Sequence, residues 1–408
     1  MKLRDNGLGK NSMFTKRLNR QTVLDLLRRE PTQSRADLAR VTQLSPQSLS
    51  NIIGDLERAG LIEAAGKVYG GKGQPPTNYR IVPESGFGIG LHLDRDVVRA
   101  SVLDFAFRAK ANRSLEVDTS SLPKVHRAID ALVETLIDDL GVSREHVWGI
   151  GIASPRLRDA HDLDTDRLEG SFWSELRAYE LDRRLAEDKQ MAVVVENDAN
   201  AGALAELTFG KGRSVRDFCY LFLGHGLGAG FVHDGALFRG GWTNAGEVGR
   251  ILVDRDGKDV FIESILSVDG LMDWLSAGSL RQRHEAKALS LLVETDIQAT
   301  HAWIADAATR LRWLIAMLEN TLDPHTIILG GDLPEWVIDG LIERAEPLPH
   351  TIAVRADRTE KRLQKGLMDR DMIALGAAAM PLLATVEAAP AERWSVTGVV
   401  PDLFRGFE

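Results

Sequence analysis

The chain has 408 residues, of which 44% are hydrophobic and 27% charged, and its formal net charge is −9. This length is too great for one core of ordinary size, and the composition is typical of a soluble globular protein. No apolar run approaches the roughly 18 residues of a membrane span, and the N-terminal residues are polar and basic, without an apolar signal-peptide core. We therefore expect two or three domains, no membrane contact and a cytoplasmic location.

The charge is unevenly distributed along the chain. Residues 1–82 contain 14 Lys and Arg against 7 Asp and Glu, a net charge of +7, whereas the remainder carries −16. A basic N-terminal part on an acidic body predicts a nucleic-acid contact that is confined to the N-terminus. Within this part, the basic residues 1–18 are either a flexible arm or a disordered segment.

Three short helix patterns follow. NRQTVLDLLRRE has an apolar face and ends at Pro31. The second pattern begins with Ser34 and Asp37, spaced as a capping box with Asp in place of Glu. The third has Ser45 as its N-cap and Pro46 at its first helical position. Short helices with separate caps and tight turns predict a helix-turn-helix.

The next run, LIEAAGKVYGGKGQPPTNYRIV, reads as two strands around a loop, which is a wing. Amides and hydroxyls on the outer face of the third helix can pair with base edges in the major groove, and wing cations suit phosphates or the minor groove. The alternative is a small helical cap whose basic residues are merely solvated. The predicted DNA-binding residues are Gln47, Ser48 and Asn51 in the helix and Lys67, Lys72 and Arg80 in the wing.

From Pro83 the sequence changes to an α/β pattern that occurs twice. The run GFGIGLHLDRDVVRASVLDFAFRAKANRSLEV predicts a three-stranded meander, followed by a helix near 124–140 and the strand HVWGIGIAS. A second meander, RDFCYLFLGHGLGAGFVHDGALFRGG, contains a His-Asp-Gly turn, and a helix near 302–322 precedes the buried strand of PHTIILGGDLPE. Two such halves predict an α/β architecture with a ligand cleft between lobes.

The chain resembles the ROK family, whose name joins repressors, open reading frames and sugar kinases. The motifs that carry the resemblance are ENDANAGALAE, LGHGLGAG, GGWTNAGEVGR, FIESILS, IILGGDLPE and ALGAAAM. Their order and spacing cover nearly the whole chain. The resemblance implies an actin-like, ribonuclease-H-like fold in two lobes, and the winged helix-turn-helix marks the repressor branch.

This reading divides the chain into four parts. A winged helix-turn-helix domain is expected over 1–82, a first lobe over 83–200 and a second lobe over 201–390. A helix near 371–386 is a candidate for a return to the first lobe, and 391–408 forms a C-terminal tail.

The resemblance argues against kinase activity. Family kinases hold the ATP phosphates with a D-x-G-G-T turn, whose glycines let backbone amides approach the phosphates. The matching stretch here is HLDRD, in which His92 replaces the Asp, Asp94 and Arg95 replace the glycines and Asp96 replaces the Thr. Two carboxylates near a phosphate repel it. We therefore expect no ATP cofactor and no enzymatic activity.

The sugar-contacting positions of the family are kept. The resemblance assigns sugar contacts to Asn197, Asp198, Glu247 and Glu263, and in family kinases the counterpart of Asp198 takes the proton from the reacting hydroxyl. Without ATP, Asp198 is expected to accept a sugar hydrogen bond instead. Two alternatives remain open: Asn197 and Asp198 cap the next helix, and the glutamates are solvated surface groups.

A second departure concerns zinc. Family members carry a His that contacts sugar and zinc, followed by a cysteine cluster, whereas this chain has Arg250 and then ILVDRDGKDVFIES. With its ligands missing, the family zinc is expected to be absent. Arg250 either clamps a carboxylate or phosphate of an anionic sugar, or forms an ion pair with Glu247 or Asp254.

The sequence thus predicts a sugar-responsive transcriptional regulator, a repressor of carbohydrate uptake or catabolism genes. It would bind a palindromic operator as a homodimer or homotetramer, with a sugar or sugar derivative as its effector. The alternatives are a functional ROK sugar kinase and a DNA-binding regulator that responds to no small ligand.

Overall fold

The structure is a computed structural model that describes residues 11–67, 77–94, 96–155, 175–276 except 177, 286–387 and 394–404. The helices within these ranges are α1 (Asn11–Arg29), α2 (Arg35–Thr42), α3 (Pro46–Arg58), α4 (Leu122–Leu140), α5 (Leu181–Lys189), α6 (Asp198–Phe209), α7 (Val268–Leu275), α8 (Ala286–Thr295), α9 (Ile297–Leu322), α10 (Glu335–Ala345) and α11 (Met372–Val386). None of these described helices is both long and apolar enough to cross a membrane.

The strands within the same ranges are β1 (Gln33–Ser34), β2 (Ile62–Lys67), β3 (Thr77–Ile81), β4 (Phe87–Asp94), β5 (Val97–Asp104), β6 (Ala109–Glu116), β7 (Val147–Ala153), β8 (Ala192–Glu196), β9 (Phe218–Leu223), β10 (Leu227–His233), β11 (Ala236–Phe238), β12 (Leu252–Arg255), β13 (Lys258–Phe261), β14 (Thr326–Gly331), β15 (Leu363–Lys365) and β16 (Ser395–Thr397). The chain forms two compact units. The first contains Met1–Asn197 and Ala377–Glu408, and the second contains Asp198–Gly376.

The N-terminal part of the first unit is a winged helix-turn-helix. The predicted capping box forms at the start of α2, where the Asp37 backbone N–H donates to the Ser34 hydroxyl and the Asp37 carboxylate accepts from the Ser34 backbone. At the start of α3, the Ser48 N–H donates to the Ser45 hydroxyl and Pro46 takes the first helical position. The helix starts are therefore fixed by local chemistry that the sequence already displays.

Two features of this domain differ from the sequence prediction. Helix α1 begins at Asn11, so the prediction of an arm or disordered segment was wrong for residues 11–18; residues 1–10 lie outside the described residues. The short strand β1 was not predicted. It pairs with β3, placing Gln33 opposite Tyr79, and the sheet has the order β1-β3-β2. A two-residue strand has no periodicity, so only its pairing defines it.

The larger sheet of the first unit has the strand order β16-β8-β7-β4-β5-β6. Strands β4, β5 and β6 form the predicted antiparallel meander, while β7 and β8 continue the sheet in parallel. Strand β8 is buried along its whole length, which suits its β-branched run Val193–Val195. The apolar face of α4, including Val125, Ile129 and Val133, packs into the same core.

The second unit is built on a sheet of order β11-β10-β9-β14-β15. The predicted His-Asp-Gly turn joins β10 to β11: Asp234 has φ 52° and Gly235 has φ 74°, as a type I′ turn requires. Strand β14 runs parallel to β9 and is buried against α9, whose Trp303 and Leu311 face the core. Cys219 on β9 is buried, and burial raises the pKa of its thiol to about 12.

Candidate DNA-binding and ligand sites

Helix α3 presents the predicted base-reading residues at its N-terminal end. Gln47, Ser48 and Asn51 are all exposed. The Gln47 side chain donates to Asn51 Oδ1 at 3.1 Å, and the Ser48 hydroxyl lies 2.8 Å from that of Ser45. These contacts orient polar groups within one turn of the helix, where recognition helices of this type meet base edges.

Nearer its C-terminal end, α3 is held by a buried ion-pair cluster that the sequence analysis did not identify. Asp55 is 2% exposed, and its carboxylate accepts from Arg20 at 2.5 Å and from Lys16 at 2.8 Å; Arg58 is a third partner. Burial acts to raise the pKa of Asp55, but the hydrogen bonds from Lys16 and Arg20 hold it below its ordinary value. The cluster fixes α3 against α1 because separating them would strand a buried charge.

The wing consists of β2 and β3, which pair in antiparallel fashion. The guanidinium of Arg80 forms an ion pair with Glu63 at 2.6 Å, and both side chains are about half exposed. Lys67 ends β2, but its side chain lies outside the described residues, as does the whole of Lys72. The predicted role of the wing cations therefore stays a prediction.

Two substitutions separate base reading from phosphate contact. The two ligands are a duplex selected from random DNA by the wild-type chain and a duplex with the same bases in scrambled order. We expect Asn51→Ala to weaken binding to the selected duplex by about 1–3 kcal/mol, because an amide discriminates base edges. Binding to the scrambled duplex should not change. Arg80→Ala should weaken both duplexes alike and lower the slope of log K against log salt by about 1. Fluorescence anisotropy at several salt concentrations measures both effects. Equal losses on the two duplexes for Asn51→Ala would contradict its assignment to base reading.

In the second unit, helix α6 begins at Asp198, directly after Asn197, and Asp198 is buried. The next residue, Ala199, abuts strand β10. Its Cβ lies 3.0 Å from where a Cβ on Gly228 would stand, and its carbonyl oxygen lies 2.4 Å from that position on Gly230. The glycines of β10 therefore permit close packing of α6, which places Asp198 beside this strand. An acid in the first turn also suits the helix dipole, so the helix-capping alternative remains compatible with this geometry.

The two predicted glutamates lie on turns that flank the same strand. Glu247 is exposed and follows Gly246, whose carbonyl accepts from the Ala229 N–H of β10 at 2.8 Å. The Glu263 carboxylate lies 3.0 Å from the position of a Cβ on Gly226, the residue just before β10. The structure thus gathers Asp198, Glu247 and Glu263 around one strand.

Arg250 lies within the same group of turns. Its Nη1 is 3.9 Å from Glu263 Oε1, and its guanidinium is 4.4 Å from the centroid of the Phe261 ring. Both charged side chains are about one-quarter exposed. Glu263 is a partner that the sequence analysis did not consider for Arg250. Its carboxylate partly offsets the cation, and the aromatic ring supports the guanidinium from one side.

A β-hairpin, β12–β13, occupies the segment where the family carries its zinc loop. Its turn contains Asp256 at φ 55° and Gly257 at φ 76°, a second type I′ turn. The Ile262 N–H then donates to the Ile251 carbonyl at 2.9 Å and closes the base of the hairpin. Backbone pairing therefore orders this segment. Within the described ranges, no group of three or more His, Cys, Asp or Glu side chains is arranged to hold a metal ion.

The turn between β4 and β5 replaces the phosphate-binding turn of kinases. Asp94 pairs with Val97 across the hairpin, and it also forms an ion pair with Arg99 at 3.2 Å. His92, at the position of the kinase Asp, is 2% exposed, and burial lowers the pKa of its imidazole to about 4. It is therefore uncharged near neutral pH. A buried neutral imidazole does not hold a metal–phosphate complex as a carboxylate does. Arg95 lies outside the described residues.

His92 should make the stability of the first unit sensitive to acid. The folded-state pKa of about 4 lies below the ordinary value of 6.5, so the unfolded chain binds more protons between these two pH values. Stability is then fully present above pH 6.5 and is lost as the pH falls toward 4. From pH 7 to pH 5 we expect a loss of about 2 kcal/mol.

Urea unfolding at the two pH values measures this effect, with His92→Leu as the control. Leucine is of similar size and does not titrate, so the variant should lose about 2 kcal/mol less than the wild type over the same interval. Equal acid sensitivity in both proteins would show that His92 is not the group responsible.

A winged helix-turn-helix joined to an α/β domain with a cluster of hydrogen-bond acceptors is the organisation of a one-component transcriptional regulator. The ROK family model matches residues 89–382, and a MarR family model matches residues 22–67. The chain belongs to the ROK family. Its N-terminal domain is a winged helix of the MarR type.

Three known proteins illustrate the similarity. The DNA-binding transcriptional repressor Mlc of Escherichia coli is 25% identical over 78% of this chain and 82% of its own length. A xylose repressor of Caldicellulosiruptor bescii is 27% identical over 60% of this chain and 61% of its own length. A solved ROK family transcriptional regulator, a homologue of the Mlc protein, superimposes with a TM-score of 0.69 at 18% identity, over 96% of this chain and 100% of that one.

Proposed function

We propose that this chain is a transcriptional repressor whose winged helix binds operator DNA and whose ROK domain binds a sugar that changes the affinity for DNA. The observation that supports the proposal is that one chain combines two features. Helix α3 exposes side-chain amides, and Asp198, Glu247 and Glu263 lie around β10. Carboxylates and amides are the acceptors that a polyol requires. The names of the two repressors described above support the same reading.

In this proposal the ROK domain senses a sugar and has no kinase activity. Asp198 holds the family position of the base that accepts a hydroxyl proton, but the end of β4 carries a buried neutral imidazole and an ion-paired carboxylate. A chain that does not bind ATP has no phosphoryl group to transfer. Asp198 then acts as a hydrogen-bond acceptor for the bound sugar.

The proposed assembly is a homodimer on a palindromic operator, with one α3 helix in each half-site. A sugar regulates DNA binding only if it binds more tightly to one of two conformations, and such coupling is typically worth about 1–3 kcal/mol. A dimer holds its two winged-helix domains at a fixed spacing. A small change in that spacing is therefore sufficient to alter the affinity for the operator.

The test begins with a duplex selected from random DNA by the wild-type chain. Its affinity is measured by anisotropy, alone and with neutral monosaccharides, uronates and sugar phosphates. At least one sugar should change the dissociation constant by about 5- to 150-fold. Absence of any sugar effect would favour a regulator without a small ligand. A coupled assay showing ATP-dependent phosphorylation that Asp198→Asn abolishes would instead establish a sugar kinase.

The charge of the effector follows from Arg250. We propose that the effector is a neutral sugar, because Glu263 already offsets the guanidinium at 3.9 Å. Calorimetry should then show that a neutral sugar binds more tightly than its uronate or phosphate, and that Arg250→Ala does not reverse this order. Tighter binding of an anionic derivative that is lost in Arg250→Ala would identify Arg250 as an anion clamp.

A further inference from the structure

Two arginines of α1 attach the winged helix to the larger sheet of the first unit. The Arg28 guanidinium lies 4.5 Å from the Phe105 ring centroid and 4.2 Å from that of Phe107, and its Nε donates to the Phe105 carbonyl at 3.3 Å. Both aromatic residues belong to the region of the β5–β6 turn. Phe107 has φ 61°, a conformation that a bulky residue rarely adopts. The turn therefore holds an unfavourable backbone conformation while presenting its ring to Arg28.

The second attachment involves Arg20, which is 1% exposed. Its guanidinium lies 4.1 Å from the centroid of the Phe404 ring, and it also donates to Asp55 of α3 at 2.5 Å. Phe404 is itself buried, at 5% exposure. One guanidinium thus joins an aromatic ring from the far end of the described chain to the recognition helix. Buried cation–π contacts of this kind are stronger than exposed ones because neither partner is solvated.

The segment that carries Phe404 is anchored to strand β8. Within it, β16 pairs with β8 in antiparallel register, with Ser395 opposite Val195 and Thr397 opposite Val193. The Thr397 hydroxyl also donates to Asp182 at 2.8 Å. Strand β8 leads directly into Asn197. Residues 394–404 therefore connect the strand before the proposed ligand residues with the helix that holds α3.

Helix α1 is therefore fixed both to the β5–β6 turn, through Arg28, and to the segment that follows β16, through Arg20. We propose that Phe404 is a positioning residue for DNA binding, and that a displacement of β8 reaches α3 through β16, Phe404, Arg20 and Asp55. This inference rests on the proposed function, because it describes how DNA binding and the ligand domain communicate.

Substitutions at Phe404 test the aromatic contact. Phe404→Ala should weaken binding to the selected duplex by about tenfold, through loss of a buried cation–π contact. Phe404→Tyr keeps the ring face and should bind as the wild type does, whereas Phe404→Leu, which keeps only apolar volume, should be intermediate. Val399→Ala is the matched control, because Val399 lies in the same segment at 85% exposure, and it should have no effect.

Amide hydrogen exchange distinguishes a Phe404 that transmits a change between α3 and β8 from a Phe404 that only stabilises the winged helix. In the wild type, binding of the selected duplex should change amide exchange in residues 193–195 of β8, and Phe404→Ala should abolish that change. If the alanine variant unfolds the winged helix, the comparison is made with Phe404→Leu, in which the change should be reduced.

Weaker DNA binding in the variants with an unaltered exchange response in β8 would overturn the inference and leave Phe404 a purely structural role. Wild-type affinity in Phe404→Ala would overturn it as well. If selection from random DNA yielded no duplex that the wild-type chain binds, the proposed function itself would fail.

Discussion

Replacing Asp55 with alanine is expected to destabilise the winged helix by about 3–5 kcal/mol, because it leaves a buried cation without its counter-ion. Arg20 is 1% exposed, and the Asp55 carboxylate is its partner at 2.5 Å. Lys16 and Arg58 reach the solvent and can rehydrate, but Arg20 cannot do so without moving α1 away from α3. Urea unfolding of the full chain measures the loss, and affinity for the selected duplex should fall with it.

The matched control is Asp37→Ala in the same domain. Asp37 is half exposed, belongs to the capping box of α2 and is paired with Arg40 at the surface. Hydrogen bonds from Ser34 hold the pKa of Asp37 below its usual value, and we expect its loss to cost about 1 kcal/mol. If Asp55→Ala were no more harmful than Asp37→Ala, the buried cluster would not be what fixes the recognition helix.

Gly246→Ala should be the most damaging substitution near the ligand residues. Gly246 has φ +100°, and a Cβ there would lie 1.9 Å from the Ala229 carbonyl oxygen. The positive φ costs about 1–3 kcal/mol, and the forced displacement of β10 costs about 1–3 kcal/mol more. Because Glu247 is the next residue, the change should also abolish the effect of sugar on DNA affinity.

Gly235→Ala provides the comparison for Gly246→Ala. Gly235 also has a positive φ, +74°, but a Cβ there would meet nothing within 4 Å. This variant therefore carries only the backbone cost, about 1 kcal/mol, and should keep the response to sugar. Similar unfolding free energies for the two variants, or an intact sugar response in Gly246→Ala, would contradict the contact between this turn and β10.

Local chemistry explains which parts of the fold the sequence predicts well. Ser34, Asp37 and Ser45 cap the helices they were expected to cap, and the Asp234-Gly235 dipeptide forms the expected hairpin turn. Each depends on residues only a few positions apart. Residues 11–18 gave no such signal, and their helical structure extends α1 to include Lys16, a partner of Asp55.

Contacts between distant parts of the chain were beyond prediction. Nothing near Arg20 indicates that Phe404 lies over it, and the three-residue strand β16 is defined only by its pairing with β8. Asp55 gave no signal either, because its spacing of four residues from Asn51 and seven from Ser48 places it with the polar side chains of α3. Only its contacts with Lys16 and Arg20 of α1 show that it is buried.

The ligand residues came from a resemblance in motif, and the structure adds the physical reason why the motif has its form. Glycines at 226, 228 and 230 let α6 and the Glu263 turn approach β10 closely. Periodicity and composition alone would not have selected Asp198, Glu247 or Glu263 from the other acids. The pairing of Arg250 with Glu263 was likewise out of reach, since it depends on the hairpin β12–β13 that lies between them.

The central claim is that this chain keeps the carboxylates and amide that accept hydrogen bonds from a sugar in its family, but lacks the glycine-containing turn that binds the phosphates of the nucleotide. The most direct measurement is anisotropy of the labelled, selected duplex with the wild-type chain, titrated with the sugar panel in the presence and absence of magnesium ATP. The account predicts that a sugar alone changes the affinity for DNA, and that magnesium ATP adds nothing and is not consumed. A response that requires ATP and releases ADP would contradict it.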